Sequence, residues 1–163
     1  MNTLGCDPGL SGSLALLDSE GLLLELCDMP TLKTTKSRRE VCSWDLVGLF
    51  EDWRAENGEF RCVIENASTR PGQHAASGLK TGVGFGLVLG ILAAQKVSVE
   101  RISPQRWQKA ILGKIEKGTA KDRSRAKAQE LYPMADLGRR KTEDRSDALM
   151  IALYGFRNWS REI

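Results

Sequence analysis

The chain has 163 residues, which is enough for one domain with a substantial core, and we expect a single domain over residues 1–163. Hydrophobic residues make up 41% of it and charged residues 28%, an ordinary globular composition without repeats or low-complexity tracts. The net charge of +3 excludes no class of partner by itself.

The first third of the chain predicts a β-meander. Apolar runs place strands at about residues 2–6, 13–17 and 22–27, separated by turns at 7–12 and 18–21. The polar, basic stretch Pro30–Glu40 is predicted to be a mobile loop. Ser43 is a favourable N-cap for a helix that ends near Gly58.

Strands and helices alternate in the rest of the chain. A fourth strand, Arg61–Glu65, precedes a long helix over about 76–95 and a fifth strand over 97–101. Three more helices are predicted: a short one capped by Ser103-Pro104, one from Thr119 to Tyr132, and one from about Glu143 to Phe156. This order predicts an α/β fold in which helices flank the faces of a five-stranded mixed sheet.

Four glycines lie at spacing four on one face of the long helix: Gly78, Gly82, Gly86 and Gly90. Each costs roughly 1 kcal/mol of helix stability relative to alanine, so something must approach this face closely. The sheet or a neighbouring helix, a second copy of the chain, and DNA all remain open as the contact.

Positive charge is concentrated in one segment. Residues 101–141 hold twelve Lys and Arg against four acidic residues, a local charge of +8, so the remainder of the chain carries −5. This asymmetry indicates a surface that faces phosphates, although a solvated helical face would have the same composition.

The cysteines and the apolar segments indicate an intracellular protein. The four cysteines have no paired metal-binding spacing and resemble buried residues of a reducing compartment. We expect no signal peptide, because a strand begins at the N-terminus. The apolar segment Val83–Ala94 is predicted to be too short to span a membrane.

Four carboxylates bear the strongest functional signal. Asp7 and Glu65 each end a predicted strand, and Asp144 and Asp147 lie three apart at the start of the last helix, hence on one face. Oxygen ligands of this kind suit Mg²⁺ or Mn²⁺ better than zinc. The set therefore predicts a divalent-metal site for cutting phosphodiesters.

Each carboxylate also has a structural explanation. Asp7 begins the turn Asp7-Pro8-Gly9-Leu10-Ser11-Gly12, where Asp and Gly are favoured by turn geometry alone. Acids in a first helical turn can simply complement the helix dipole. The turn is also similar to the first phosphate loop of sugar kinases and actin-like ATPases, but the second domain and the second glycine-rich loop of those proteins are not evident in this sequence.

The ordered set of motifs resembles the RuvC family of Holliday junction resolvases, within the RNase H-like superfamily. The resemblance extends over nearly the whole chain, and the Pro-x-x-Trp segment and Ala148–Gly155 are most similar to its phage and chloroplast branch. The matching segments are Asp7–Gly12, Val63-Ile64-Glu65, Gly82–Gly86, Pro104-Gln105-Arg106-Trp107-Gln108 and Asp144–Leu149.

This resemblance implies a homodimeric, Mg²⁺-dependent endonuclease that resolves four-way DNA junctions by paired, symmetric nicks. It implies two metal ions per site, held by Asp7, Glu65, Asp144 and Asp147, with Asp7 bridging them and Mn²⁺ able to substitute. Lys121 matches the family's late catalytic basic residue by position, although a plain phosphate contact would explain it too. The protein would act in the cytoplasm of a bacterium or of a phage-infected cell.

Further DNA contacts are predicted from the basic segment and its surroundings. They are His74, Lys80, Arg106, Lys109, Lys114, Lys117, Arg123, Arg140 and Lys141. The aromatic residue that follows the catalytic Glu in bacterial members, and wedges into the junction, has no counterpart in residues 66–74. The tryptophans are most simply core or helix-packing residues, with DNA stacking a second explanation for Trp107.

Two other functions remain open: a nuclease that prefers flaps or forks, and a junction-binding protein whose acids only stabilise the fold. The sequence does not indicate the cleavage preference or the pathway, whether recombination, phage genome processing or organelle DNA segregation.

Overall fold

The computed structural model describes residues 1–35, 38–67, 74–114, 119–138 and 145–159. The strands are β1 (Asn2–Asp7), β2 (Ser13–Leu17), β3 (Leu23–Asp28), β4 (Thr31–Thr35), β5 (Arg38–Val41), β6 (Phe60–Glu65) and β7 (Val99–Ile102). The helices are α1 (Ser43–Asn57), α2 (Ala75–Ala94), α3 (Pro104–Leu112), α4 (Ala120–Leu131) and α5 (Ser146–Trp159).

Five strands form the central mixed sheet in the order β3-β2-β1-β6-β7. The meander β1-β2-β3 is antiparallel, whereas β6 and β7 run parallel to β1 and to each other. A parallel pair requires a crossover, which α1 and α2 supply. The predicted five-stranded mixed sheet with flanking helices is confirmed.

Side-chain alternation along the strands divides the interior into two cores, one on each face of the sheet. Leu4, Cys6 and Ile64 contribute to a core with α1 and α2. Val63 and Ala15 point to the opposite face and pack with α3, α4 and α5. The molecule is therefore a three-layer sandwich in which α5 covers the centre of the sheet.

A glycine in the central strand allows α5 to pack against the backbone of β1. A Cβ at Gly5 would collide with the carbonyl oxygen of Ala148 and the amide of Ala152. Farther along α5, a Cβ at Gly155 would lie 2.6 Å from Val63 Cγ2. Only a residue without a side chain permits such an approach, and at Gly5 the contact brings the first turn of α5 over β1.

The prediction of a mobile loop over Pro30–Glu40 was wrong, because β4 and β5 pair antiparallel within that stretch. The Cys42 amide donates to the Pro30 carbonyl at 2.9 Å and closes the base of this hairpin. Arg39 Nη2 also donates to Thr31 Oγ1 at 2.6 Å. The polar composition concealed these strands, since neither shows apolar alternation.

Helix α2 buries Val88, Ile91 and Leu92 in the core, and Phe85, Leu87 and Leu89 pack against it at partial burial. A Cβ at Gly82, Gly86 or Gly90 would meet no atom within 4 Å among the described residues. Packing of these three glycines against the sheet or a neighbouring helix of the same chain is therefore excluded there. Gly84 instead faces inward, with its Cβ position 3.6 Å from Val41.

The structure also corrects the apolar segment and one tryptophan. By length and composition α2 could cross a membrane: its 18-residue window has a mean hydropathy of 1.5 and is 17% buried. The prediction that this segment is too short to span a membrane was therefore wrong, because the helix that contains it has 20 residues. One such helix is weak evidence for a membrane span. Trp44, predicted to pack in the core, is 83% exposed at the start of α1, whereas Trp53 and Trp107 are buried.

Candidate active site

Asp7 lies at the carboxyl end of β1, where the chain turns tightly into β2. The Gly9 amide donates to Asp7 Oδ1 at 3.3 Å, and the Gly12 amide donates to the Gly9 carbonyl at 2.9 Å. A Cβ at Gly12 would collide with the Asp7 carbonyl oxygen, so the turn requires glycine at that position. The turn thus presents a half-buried carboxylate at the sheet edge.

Glu65 ends the neighbouring parallel strand at the same edge. Cys6 of β1 pairs with Ile64 of β6, so Asp7 and Glu65 occupy the next positions of adjacent strands. Strands in a sheet are separated by about 4.8 Å. The two carboxylates therefore lie side by side at the carboxyl ends of the neighbouring strands β1 and β6.

Asp147 is brought to this edge by the first turn of α5, next to Ala148, the residue that touches Gly5. Arg145, just before the helix, holds this end in place. Its Nε and Nη2 donate to the two carboxylate oxygens of Asp28 at 2.9 and 3.2 Å, and its Nη1 donates to Asp136 Oδ2 at 2.8 Å. The start of α5 is thereby tied to the end of β3.

The charges at this edge act on one another. Burial raises the pKa of Glu65 to about 7, a hydrogen bond from Trp107 opposes that rise, and the charges of Asp7 and Asp147 add to it. The ammonium of Lys121 lowers the same pKa. These influences show that three predicted acids and the predicted lysine share one electrostatic environment.

An open cleft of about 390 Å³ adjoins this edge. It is bordered by the Asp7–Gly12 turn, by Lys80 and Ser77 of α2, and by Lys121 of α4. Asp7 thus lines the cleft together with two exposed lysines. Such a cleft can receive an anionic chain while a cation neutralises the acids.

The remaining predicted DNA contacts are placed less uniformly. His74, Lys109 and Lys114 are exposed, and Lys109 and Lys114 line one shallow groove beside α3. Arg106 pairs with Glu100 at 3.9 Å, and Arg123 donates to the carbonyls of Lys114 and Leu112 at 2.6 and 3.0 Å. Arg123 is therefore committed to joining α3 and α4. Lys117, Arg140 and Lys141 lie outside the described residues.

The donor set fits a hard divalent cation. Asp7, Glu65 and Asp147 offer only oxygens, and their mutual repulsion would be relieved by positive charge. Among the described residues no three His, Cys, Asp or Glu side chains are close enough to form a complete cation site. Asp144, the fourth predicted ligand, lies outside the described residues.

Two contributors to this site escaped the sequence analysis. Gly5 was treated as an ordinary strand residue, although it admits α5 to the sheet. Trp107 is 1% exposed, as the core interpretation predicted, but its Nε1 also donates to Glu65 Oε2 at 2.6 Å. An unusual Gly inside an apolar strand was the signal available for the first; nothing local indicated the second.

Among the comparisons with known proteins, only the one with solved structures found similar proteins. No protein-family model and no curated protein matches the sequence. Thermus thermophilus RuvC in complex with a Holliday junction substrate is similar over 98% of this chain and 96% of its own, at 17% identity and a TM-score of 0.69. A second structure of T. thermophilus RuvC is similar over 99% and 97%, at 21% identity and a TM-score of 0.65.

The yeast mitochondrial Holliday junction resolvase Ydc2 is also similar, over 98% of this chain and 79% of its own, at 14% identity and a TM-score of 0.53. The motif-based resemblance is thus confirmed at the level of architecture: the chain has the RNase H-like fold of the RuvC resolvases.

Proposed function

We propose that the chain, as one nuclease domain over residues 1–163, is a metal-dependent endonuclease that resolves four-way DNA junctions. The observation that carries the proposal is that β1 and β6 end side by side at Asp7 and Glu65, in a fold similar to that of RuvC, with the charge of Asp147 of α5 acting on Glu65. A related protein of this fold has been seen with a Holliday junction substrate.

Asp7, Glu65 and Asp147, together with Asp144, would hold Mg²⁺, as two ions, with Mn²⁺ as a substitute. When bound, the metal activates the attacking water and stabilises the negative charge that develops on the phosphate and the leaving 3′ oxygen. The protein's own part would be to hold these carboxylates next to one another beside the cleft.

Lys121 and Lys80 provide the positive side of the same cleft. An ammonium beside the cleft would attract the DNA backbone, and Lys121, whose charge lowers the pKa of Glu65, would face the scissile phosphate. His74, Arg106, Lys109 and Lys114 extend the basic surface. Phosphate contacts of this kind predict binding that weakens steeply as salt increases.

A homodimer would account for the open face of α2. Leu79 and Val83 are 69% and 62% exposed, and the neighbouring Gly82 and Gly86 leave room for a second backbone. Exposed apolar surface beside small residues is typical of a helix-helix contact. Two copies joined here would present two active sites, as paired nicks on opposite strands require.

Cleavage of labelled synthetic DNA in Mg²⁺ tests the proposal. The substrates are a four-way junction, a flap, a fork and linear duplex, and the variants are Asp7→Asn and, as a matched control, Asp52→Asn on the exposed side of α1. We expect paired, religatable nicks in the junction, lost in Asp7→Asn with junction binding retained. The control should cut like the unmodified protein.

The other outcomes are equally distinct. Equal cutting of flaps and forks would replace the resolvase by a general branch nuclease. Junction binding without cleavage by the unmodified protein would refute the enzymatic proposal. A lowered melting temperature of Asp7→Asn with unchanged cleavage would assign Asp7 to the fold alone.

A further inference from the structure

The indole of Trp107 makes a polar contact in an otherwise apolar core. The side chain belongs to the cluster of α3, α4 and α5 residues beneath the sheet and is 1% exposed. Its Nε1 donates to Glu65 Oε2 at 2.6 Å. A buried indole N–H requires an acceptor, and the carboxyl group of Glu65 provides it.

The backbone fixes the two partners relative to each other. The Asn66 amide donates to the Ile102 carbonyl at 2.8 Å, which joins the end of β6 to the end of β7. Helix α3 starts two residues later, with Ser103 accepting from the Arg106 amide at 3.3 Å and Pro104 in the first turn. Trp107 therefore reaches Glu65 from the capped helix α3, which directly follows the adjacent strand β7, and not from a loop.

The contact divides the two oxygens of Glu65. Oε2 accepts the indole N–H and is turned toward the core, whereas Oε1 has no hydrogen bond from Trp107. A rigid donor that holds one carboxylate oxygen restricts rotation of the carboxylate before a cation binds. Cation binding then costs less conformational entropy.

We propose that Trp107 is a positioning residue for metal binding: it holds Oε2 of Glu65 and leaves Oε1 to face the divalent cation. This inference rests on the proposed metal-dependent function. It assigns to Trp107 a role that is neither core packing alone nor DNA stacking. The rival explanation is that Glu65 merely satisfies a buried N–H.

The test compares Trp107→Phe, which removes the N–H and keeps an aromatic ring, with Trp53→Phe. Trp53 is a matched control because it is also buried, in the core on the opposite face of the sheet. Mn²⁺ binding to the DNA-free proteins is measured by electron paramagnetic resonance, and the Mg²⁺ requirement by junction cleavage. Outer partners of metal ligands typically contribute 10- to 100-fold to metal affinity.

We expect Trp107→Phe to bind Mn²⁺ about 10-fold more weakly and to need about 10-fold more Mg²⁺ for half-maximal cleavage. Trp53→Phe should change neither value. In a Glu65→Gln background, Trp107→Phe should have no further effect on Mn²⁺ affinity, because its route through Glu65 is gone. Equal Mn²⁺ affinity in folded Trp107→Phe, or an equal loss in Trp53→Phe, would overturn the proposal.

A measurement on the unmodified protein covers the case in which Trp107→Phe fails to fold. The indole N–H signal of Trp107, assigned in ¹⁵N-labelled protein by its shift in Glu65→Gln, should move on Mg²⁺ addition while that of Trp53 does not. A stationary Trp107 signal in protein that binds Mg²⁺ would refute the inference. Metal binding with this response but without junction cleavage would instead refute the proposed function alone.

Discussion

Replacing Glu65 by Gln should stabilise the metal-free protein above the ordinary carboxyl pKa of 4.5, with the full gain reached above the folded value of about 7. Gln keeps the shape of the side chain and an oxygen that accepts from the Trp107 indole, but it carries no charge to bury. Burial raises the pKa of Glu65 from an ordinary 4.5 to about 7. At about 1.4 kcal/mol per pKa unit, this corresponds to ~3 kcal/mol, which solvent screening of a half-buried group reduces to ~2 kcal/mol.

The direction of the pH effect on the free energy of unfolding depends on whether the folded or the unfolded state binds the Glu65 proton more tightly. Below the unfolded value of 4.5, Glu65 is protonated in both states, so the protein and its Gln variant should be equally stable. Between 4.5 and about 7 the unfolded chain ionises first, and the free energy of unfolding of the unmodified protein falls with rising pH. Above that range both states are ionised, and the difference stays constant.

Urea unfolding in the presence of a chelator measures this difference at several pH values. Glu56→Gln, an exposed carboxyl on α1, is the control and should show no such gain. Adding Mg²⁺ at alkaline pH should stabilise the unmodified protein more than the Gln variant, because the cation compensates the same charge. A variant no more stable than the unmodified protein at alkaline pH, or a gain that does not depend on pH, would refute the reasoning.

Three further substitutions, the first with a control, test the packing that builds the site and the proposed dimer contact. Gly5→Ala should cost ~3 kcal/mol or more in urea unfolding, because its methyl group meets the backbone of α5. The control Gly48→Ala, in open space within α1, should instead gain ~0.5–1 kcal/mol. Arg145→Ala should cost ~2 kcal/mol by the same measurement, since it removes charged hydrogen bonds to Asp28, and a loss no larger than an exposed ion pair's ~0.3 kcal/mol would contradict that role. Gly86→Leu should remain folded but convert a dimer into a monomer by light scattering, because its side chain fills the space left for a second helix; a persistent dimer would place the interface elsewhere.

The strands and helices with clear periodicity were predictable because their signals are local. Residues 2–6 and 13–17 are apolar runs bounded by Asp and Gly turns, and Ser103-Pro104 is a helix start that the structure shows with its capping hydrogen bond. The β4–β5 hairpin was missed for the corresponding reason: its residues are polar, and its pairing depends on contacts with α2. The exposure of Trp44 was not predicted either, because the sequence of α1 does not show which of its faces packs against the core.

The sequence by itself determined the mixed α/β architecture and nominated Asp7, Glu65 and Asp147, because strand ends and helix starts are encoded within a few neighbouring residues. Only the tertiary structure decided how these acids meet. The register of β1 on β6 aligns Asp7 with Glu65, the missing side chain of Gly5 admits α5, and Trp107 reaches Glu65 from 42 residues away. Such contacts depend on the distance between segments remote in the chain, a quantity that local patterns do not contain.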